Sequence, residues 1–182
     1  MTWSPGHSVI VVPVPLDPVE SFVRTRTAYY DASFLSADPD FAQAHVTVLG
    51  PWRTDPSPHD LATVARVLAG VAPFDLDLVA VEEFPDGVIH LRAEPADLLR
   101  RLTAALHAAF PAHPPYEGRF GDRLTPHLTL DRRSATVSRE GVEDAVRAWL
   151  PVRHRVTHLD LQWWANNDCR VLHRWRLEEV RR

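Results

Sequence analysis

The chain has 182 residues, of which 45% are hydrophobic and 24% are charged, a composition typical of one globular unit and not of a fibre or a repeat array. Its 24 acidic and 20 basic residues give a formal net charge of −4, which is the wrong sign for non-specific binding of duplex DNA through its phosphates. All 20 basic residues are arginine, which excludes Schiff-base lysine chemistry and the phosphate-loop lysine of Walker-type nucleotide hydrolases.

The hydrophobic pattern and the turn residues predict alternating strands and helices. In chain order they predict a strand at 8–14, a helix at 17–30, a strand at 44–49, a helix at 60–69, strands at 74–84 and 88–93, a helix at 97–110, a strand at 126–131, a helix at 140–150 and strands at 155–164 and 170–177. A Pro-Asp-Gly turn joins the third and fourth strands into a hairpin. The order of elements runs through twice, so we expect an α+β protein with one two-lobed domain over residues 1–182.

Cysteine usage and hydropathy bear on the compartment. Cys169 is the only cysteine, so no intramolecular disulfide and no Cys-rich zinc site can form. No apolar stretch approaches the roughly eighteen residues of a membrane span, and Met1 is not followed by the basic and apolar segments of a secretory signal. We therefore expect a cytoplasmic protein without a membrane partner.

One four-residue pattern occurs twice. The segments 45–48 and 127–130 both read His, apolar, Thr, apolar, and their histidines lie 82 positions apart in corresponding strands of the two halves. Because side chains alternate along a strand, His and Thr share one face and the apolar residues point into a core. If the halves pack around a pseudo-two-fold axis, both polar faces meet in one cleft. The alternative is that both histidines are ordinary half-buried strand residues.

Two imidazoles and two hydroxyls in one cleft suit displacement at phosphorus. One group takes a proton from the attacking water or hydroxyl, and another gives a proton to the departing oxygen. Histidine, with an unperturbed pKa of about 6.5, can do either near neutral pH. Threonine hydroxyls can donate hydrogen bonds to the non-bridging oxygens. This chemistry needs no metal ion and no cofactor, and it predicts a bell-shaped pH dependence of the rate.

The two motifs, their spacing and the doubled layout resemble the 2H (two-histidine) phosphoesterase superfamily. Segments 44–52 (Ala-His-Val-Thr-Val-Leu-Gly-Pro-Trp) and 115–121 (Pro-Tyr-Glu-Gly-Arg-Phe-Gly) resemble its bacterial 2′-5′ RNA ligase-like branch, and the resemblance covers nearly the whole chain. It implies a bilobal, duplicated α+β fold with two antiparallel sheets and flanking helices around a central cleft. It also implies metal-independent hydrolysis, or in some members ligation, of 2′-linked or 2′,3′-cyclic phosphates.

Under this resemblance, His45 and His127 match the catalytic histidines, and Thr47 and Thr129 match the phosphate-binding hydroxyls. The residues themselves leave open which histidine is the acid and which the base. Analogy favours His127 as the base and His45 as the acid. The chain departs from the branch at Gly50 and near His90, where members often have an aromatic residue, so substrate recognition could differ.

Five further residues are candidates for substrate binding. Tyr116 and Phe120 precede the second motif and could stack on a nucleobase, or they could pin a loop to the core. Trp52, just after the first motif, has the same two interpretations. His90 and Arg92 alternate on the strand at 88–93, with Arg92 as a candidate phosphate clamp. Their alternative is an exposed face or a carboxylate partner.

Three functions fit these residues. The first is a metal-independent phosphodiesterase that opens 2′,3′-cyclic phosphates of nucleotides or RNA ends, with 2′-5′ linkages and ligase-like reversal as related activities. The second is the same chemistry on a cyclic oligonucleotide or another metabolite phosphodiester. The third is a non-catalytic nucleotide or RNA-end binding protein. We expect a monomer whose partner is a nucleotide or RNA-end phosphodiester, while base and linkage preference stay open.

Overall fold

The computed structural model describes residues 6–119 and 124–178, and these ranges contain eight β-strands and four α-helices. The strands are β1 (His7–Pro13), β2 (His45–Leu49), β3 (Phe74–Glu83), β4 (Val88–Glu94), β5 (His127–Arg132), β6 (Val152–Val156), β7 (His158–Trp164) and β8 (Arg170–Arg176). The helices are α1 (Val19–Asp31), α2 (Pro58–Leu68), α3 (Ala96–Ala109) and α4 (Arg139–Val146). None of the helices in the described ranges has the length and apolar character needed to cross a membrane.

All eight strands belong to one antiparallel sheet, in the order β6-β3-β4-β5-β2-β1-β7-β8. The expected α+β class is confirmed. The expectation of two separate sheets is not, because β2 and β5 pair with each other through Val46 and Leu128 and so join the two halves. The motif-bearing strands are therefore neighbours at the middle of a continuous sheet.

The prediction of a single strand at 155–164 is wrong. The structure has two strands here, β6 and β7, which are separated by Thr157. β6 pairs with β3 near one end of the sheet and β7 pairs with β1 in the other half. Thr157 is β-branched and sits in a run without glycine or proline, so the sequence carries no signal for this break.

The main hydrophobic core lies between the four helices and one face of the sheet, since residues from all the helices join a single buried cluster with strand residues. Val46 and Val48 of β2 and Leu128 and Leu130 of β5 point into this core, each at most 2% exposed. The residues that alternate with them must face the other way. The predicted division of the motif strands into an apolar and a polar face is thus confirmed.

A smaller apolar cluster covers part of the polar face. It consists of Val9, Val11, Phe34, Phe41, Trp164 and Cys169. Val11 lies opposite Thr47 in the pairing of β1 with β2, so this cluster borders the first motif. Apolar side chains therefore border the polar face beside β2.

A buried carboxylate fastens the second motif strand to a helix. Asp131 of β5 is 6% exposed and forms an ion pair with Arg26 of α1, with 2.6 Å between Arg26 Nε and Asp131 Oδ2. The Tyr30 hydroxyl of the same helix donates to Asp131 Oδ1 at 2.5 Å. The Arg132 backbone amide donates to the same oxygen at 2.7 Å. These bonds hold α1 against the end of β5.

Removal of this carboxylate should destabilise the protein strongly. Asp131→Ala removes the charged acceptor of the Arg26 guanidinium and the short acceptor of the Tyr30 hydroxyl, and breaking such a buried pair typically costs about 3–5 kcal/mol. Urea denaturation followed by circular dichroism measures this loss. Asp144→Ala is the matched control, because Asp144 pairs with Arg147 at an exposed site and should cost less than about 1 kcal/mol. Equal losses in the two variants would contradict the anchoring role of Asp131.

Candidate active site

The pairing of β2 with β5 brings the two motifs together. Because Val46 lies opposite Leu128 in an antiparallel pair, the register places His45 opposite Thr129 and Thr47 opposite His127. Directly opposite residues have Cβ atoms about 4.5–5.5 Å apart. We call these four residues, His45, Thr47, His127 and Thr129, the His–Thr cluster. Each imidazole of the cluster thus lies beside a hydroxyl from the other motif.

Both histidines of the cluster have one nitrogen fixed by their own backbone. His45 Nδ1 lies 2.9 Å from the carbonyl oxygen of Gln43, and His127 Nδ1 lies 2.8 Å from that of Thr125. A carbonyl only accepts hydrogen bonds, so Nδ1 must carry the proton in both rings. In the neutral form each Nε2 then has a free lone pair. The same arrangement in both strands leaves two Nε2 atoms to exchange protons with a ligand.

Burial keeps both imidazoles neutral. Removal from solvent lowers the pKa of His127 from 6.5 to about 4, with smaller contributions from repulsion by His90 and His45. Burial also lowers the pKa of His45, against the opposing effect of its bond to Gln43. The repulsion between His45 and His127 arises because both rings lie on the same face of two neighbouring strands. A phosphate anion there would favour the protonated form of either ring.

The His127 ring is enclosed by other rings. Its centroid lies 4.9 Å from that of Phe84 and 5.1 Å from that of His90, both in edge-to-face arrangements. The Tyr116 ring lies nearly parallel to it at 6.3 Å. The rings around His127 thus come from three parts of the chain: His90 on β4, Phe84 directly after β3 and Tyr116 in the loop before β5.

The His45 ring has a different neighbour. Its centroid lies 5.4 Å from that of Trp164, at the end of β7. The Trp164 indole donates to Gln162 Oε1 at 3.2 Å, and the buried Gln162 amide donates to the Ala42 carbonyl at 2.8 Å. The sequence analysis missed Phe84, Trp164 and Gln162, because their approach to the motifs depends on strand order. The pair of tryptophans at 163–164 was the one sequence feature that pointed to any of these three residues.

Tyr116 joins the cluster through Thr47. The two side chains are hydrogen-bonded, and burial raises the pKa of the Tyr116 phenol to about 12. The Tyr116 amide donates to the Gly50 carbonyl at 2.7 Å, and its φ of 50° is in the left-handed region. The loop before β5 is therefore fastened to the end of β2. The phenol stays protonated at neutral pH and can donate a hydrogen bond.

The absence of a side chain at Gly50 has a packing reason. A Cβ atom there would lie 2.7 Å from Val9 Cγ1, closer than a real contact. Any side chain, and an aromatic one above all, would require the Val9 side chain to move. The neighbourhood of the first motif is thus filled by Val9 of β1.

The structure favours one of the two stated interpretations for Trp52 and for Arg92, and it buries His90. Trp52 is 4% exposed and packs edge-to-face on Phe110 in the main core, which favours its alternative as a core residue over stacking on a base. His90 is 1% exposed and contacts His127 instead of open solvent. Arg92 pairs with Glu82 at 2.8 Å and Glu94 at 3.6 Å, as the carboxylate alternative predicted. Phe120 lies outside the described residues.

In the ranges 6–119 and 124–178, no group of three or more His, Cys, Asp or Glu side chains could hold a metal ion. The two imidazoles and the hydroxyls around them are groups that can transfer protons and donate hydrogen bonds.

Comparison with known proteins agrees with this architecture. The family model of the 2′-5′ RNA ligase superfamily matches residues 14–168. The structure of TT0787 from Thermus thermophilus has 22% sequence identity and a TM-score of 0.62, and the match covers 96% of this chain and 100% of that one. Escherichia coli LigT in complex with 3′-AMP has 18% identity and a TM-score of 0.54, over 97% and 100% of the two chains. No curated protein matches the chain. At these identities the structural matches show a common fold.

The neutral state of His127 can be measured in solution. We expect its imidazole resonance, followed by NMR, to titrate near pH 4, because burial disfavours the charged ring. Since the unfolded chain binds this proton at higher pH than the folded protein, stability should fall as the pH is lowered from about 6.5 towards 4. His127→Asn lacks the titrating group and should lose less stability over that window. A His127 midpoint near 6.5 would contradict the enclosed site.

Proposed function

We propose, since the chain belongs to the 2′-5′ RNA ligase superfamily of 2H phosphoesterases, that it is a metal-independent phosphodiesterase acting on 2′,3′-cyclic phosphates of nucleotides or RNA ends. The observation that carries the proposal is the His–Thr cluster, in which two imidazoles with fixed Nδ1 protons share one face with two hydroxyls. Linkages of the 2′-5′ type require the same proton transfers and are a second class of bond for this site.

The proposed reaction is an in-line displacement by water. The base Nε2 takes a proton from water as its oxygen forms a bond to phosphorus. The bond from phosphorus to one ribose oxygen breaks, and the acid Nε2–H gives its proton to that oxygen. A cyclic phosphate and water thus become a phosphate monoester with a free neighbouring hydroxyl. Each imidazole changes its protonation state once, and proton exchange with solvent restores the pair after the product leaves.

The surroundings of the two histidines favour unequal roles. His127 is enclosed by Phe84, His90 and Tyr116, and its lowered pKa suits a base that must be neutral before the reaction. Burial also lowers the pKa of His45, and its ring lies 5.4 Å from that of Trp164. An anionic substrate would favour the protonated form of either ring. The resemblance to the 2H phosphoesterases favours His127 as the base and His45 as the acid, and we adopt this assignment.

The hydroxyls of the cluster are proposed to bind the non-bridging phosphate oxygens. Thr129 is exposed and Thr47 is half-buried on the same face as the imidazoles. Tyr116 is hydrogen-bonded to Thr47, so one of these two hydroxyls donates to the other and the second keeps its proton for a phosphate oxygen. Neutral donors aimed at an oxyanion stabilise the charge that accumulates in the transition state.

A nucleotide is the proposed substrate class. The E. coli LigT structures with which this chain shares its fold contain 3′-AMP, ATP, NADP⁺ or phosphate. Those ligands belong to LigT, and they support the choice of nucleotides as first substrates to test. A panel that includes cyclic dinucleotides and non-nucleotide phosphodiesters separates this choice from the same chemistry on another metabolite.

Loss of either histidine should nearly abolish turnover. We expect His45→Ala and His127→Ala to lower kcat for 2′,3′-cyclic AMP by at least about 10²–10⁴-fold each, because one proton transfer is removed. His59→Ala, at an exposed position of α2, is the matched control and should keep the wild-type rate. Product formation followed by chromatography, with a chelator present, measures both. Normal turnover in either cluster variant, or its loss on chelation, would remove this mechanism.

The threonine hydroxyls should contribute less than the histidines. We expect Thr47→Ala and Thr129→Ala to reduce kcat by about 10–10³-fold, as for the loss of an oxyanion donor. Replacement by serine keeps the hydroxyl and should restore most of the rate. Thr63→Ala on α2, where the hydroxyl bonds to its own helix, serves as the control. If the serine variants are as slow as the alanine variants, the hydroxyls do not have the proposed role.

A further inference from the structure

His90 lies directly behind the second motif. In the sheet register it is opposite Thr129 of β5 on one side and Glu82 of β3 on the other. Its side chain therefore shares the face of the sheet that carries the His–Thr cluster. It is nevertheless only 1% exposed, so it has no surface with which to touch a substrate.

Three rings pack together at this point. His90 is stacked on Phe84 with 3.9 Å between the ring centroids and an angle of 20° between the ring planes. His127 meets both rings at steep angles, 87° to Phe84 and 67° to His90. Together with the Nδ1 bond to Thr125, these contacts leave the His127 ring little freedom to rotate. The stack thus fixes the direction in which His127 Nε2 points.

The polar atoms of His90 are poorly matched to this position. Its Nδ1 lies 3.3 Å from the Val88 carbonyl, and its buried Nε2 has no hydrogen-bond partner among the described residues. The nearest carboxylate oxygen, on Glu82, is 3.9 Å away and Glu82 is already paired with Arg92. Burial lowers the pKa of His90 and keeps the ring neutral. The site thus provides a close stacking partner for the His90 ring, whereas it provides no good hydrogen-bond partner for the ring nitrogens.

We propose that His90 is a positioning residue, whose ring packs with Phe84 to hold the His127 imidazole in one orientation and to keep water away from it. The inference rests on the proposed function, because it assigns His127 as the base. It replaces the prediction that His90 contacts substrate. Groups that bear on the titration of His127 are His90 on β4, His45 on β2 and Asp86 in the hairpin turn.

Two variants of His90 separate ring packing from nitrogen chemistry. His90→Ala removes the ring and admits water, so the acid limb of the kcat profile for 2′,3′-cyclic AMP should move up by about one pH unit. Loss of orientation should lower kcat by about 10–100-fold with little change in KM. His90→Phe keeps the stacked ring and should restore kcat to within about threefold of the wild-type value, with the acid limb unchanged.

Leu91→Ala is the matched control for a general loss of packing. Leu91 is the next residue of β4, fully buried on the opposite face of the sheet in the main core. We expect this variant to lose stability while its acid limb and KM stay those of the wild type. A shift of the acid limb in Leu91→Ala equal to that in His90→Ala would assign the effect to stability and overturn the proposal.

NMR titration of His127 tests the same inference without substrate. The His127 midpoint should rise by about one pH unit in His90→Ala and stay within a few tenths of the wild-type value in His90→Phe. These measurements decide the inference even if the wild-type protein hydrolyses none of the phosphodiesters. An unchanged midpoint in His90→Ala would contradict the positioning role. A midpoint in His90→Phe that moves as far as in His90→Ala would assign the effect to the His90 nitrogens instead.

Discussion

The pairing of Val46 with Leu128 is the constraint on which the candidate site depends. It joins the two halves of the sheet and places each histidine of the His–Thr cluster opposite the threonine of the other motif. The side chains of both paired residues are fully buried in the main core, which fixes this register. A slip of one residue in either strand would turn its histidine and threonine into the core and expose the valines or leucines. Core packing on one face of the sheet thus sets the geometry of the other.

Similar backbones carry histidines with unlike surroundings. His45 and His127 have the same Nδ1 bond to the carbonyl two residues earlier, so the strands prepare both rings alike. The difference comes from elements further along the sheet, with Trp164 beside His45 and the stack of Phe84 and His90 beside His127. In acid–base catalysis by two imidazoles, one ring must begin neutral and the other protonated. Unlike surroundings help two chemically identical rings to take these different roles.

The sequence predicted the parts of the molecule that depend on local pattern. Alternation placed the motif residues on one face, and the hairpin of β3 with β4 follows from its turn. It did not predict a β-bulge between Leu78 and Val81. Strict alternation continues the core face of β3 through even-numbered residues, but the bulge turns Val81 into the core. Phe84 then lies on the face of the sheet that carries the His–Thr cluster and contacts His127. Positions fixed by bulges and by sheet order lie beyond single-sequence patterns.

The charge arrangement around the cluster bears on how an anion would be held. Arg92 lies opposite His127 in the register of β4 and β5, yet its guanidinium is shared by Glu82 and Glu94. Its positive charge is therefore largely offset before a phosphate arrives. Under the proposed mechanism the compensating charge comes from a proton on an imidazole, since an anion in the cleft raises the pKa of a neighbouring histidine. Substrate binding would then place the proton on His45 that the departing oxygen needs. With His127 assigned as the base, the offset charge of Arg92 leaves protonation of His45 as the local response to the negative charge of the substrate.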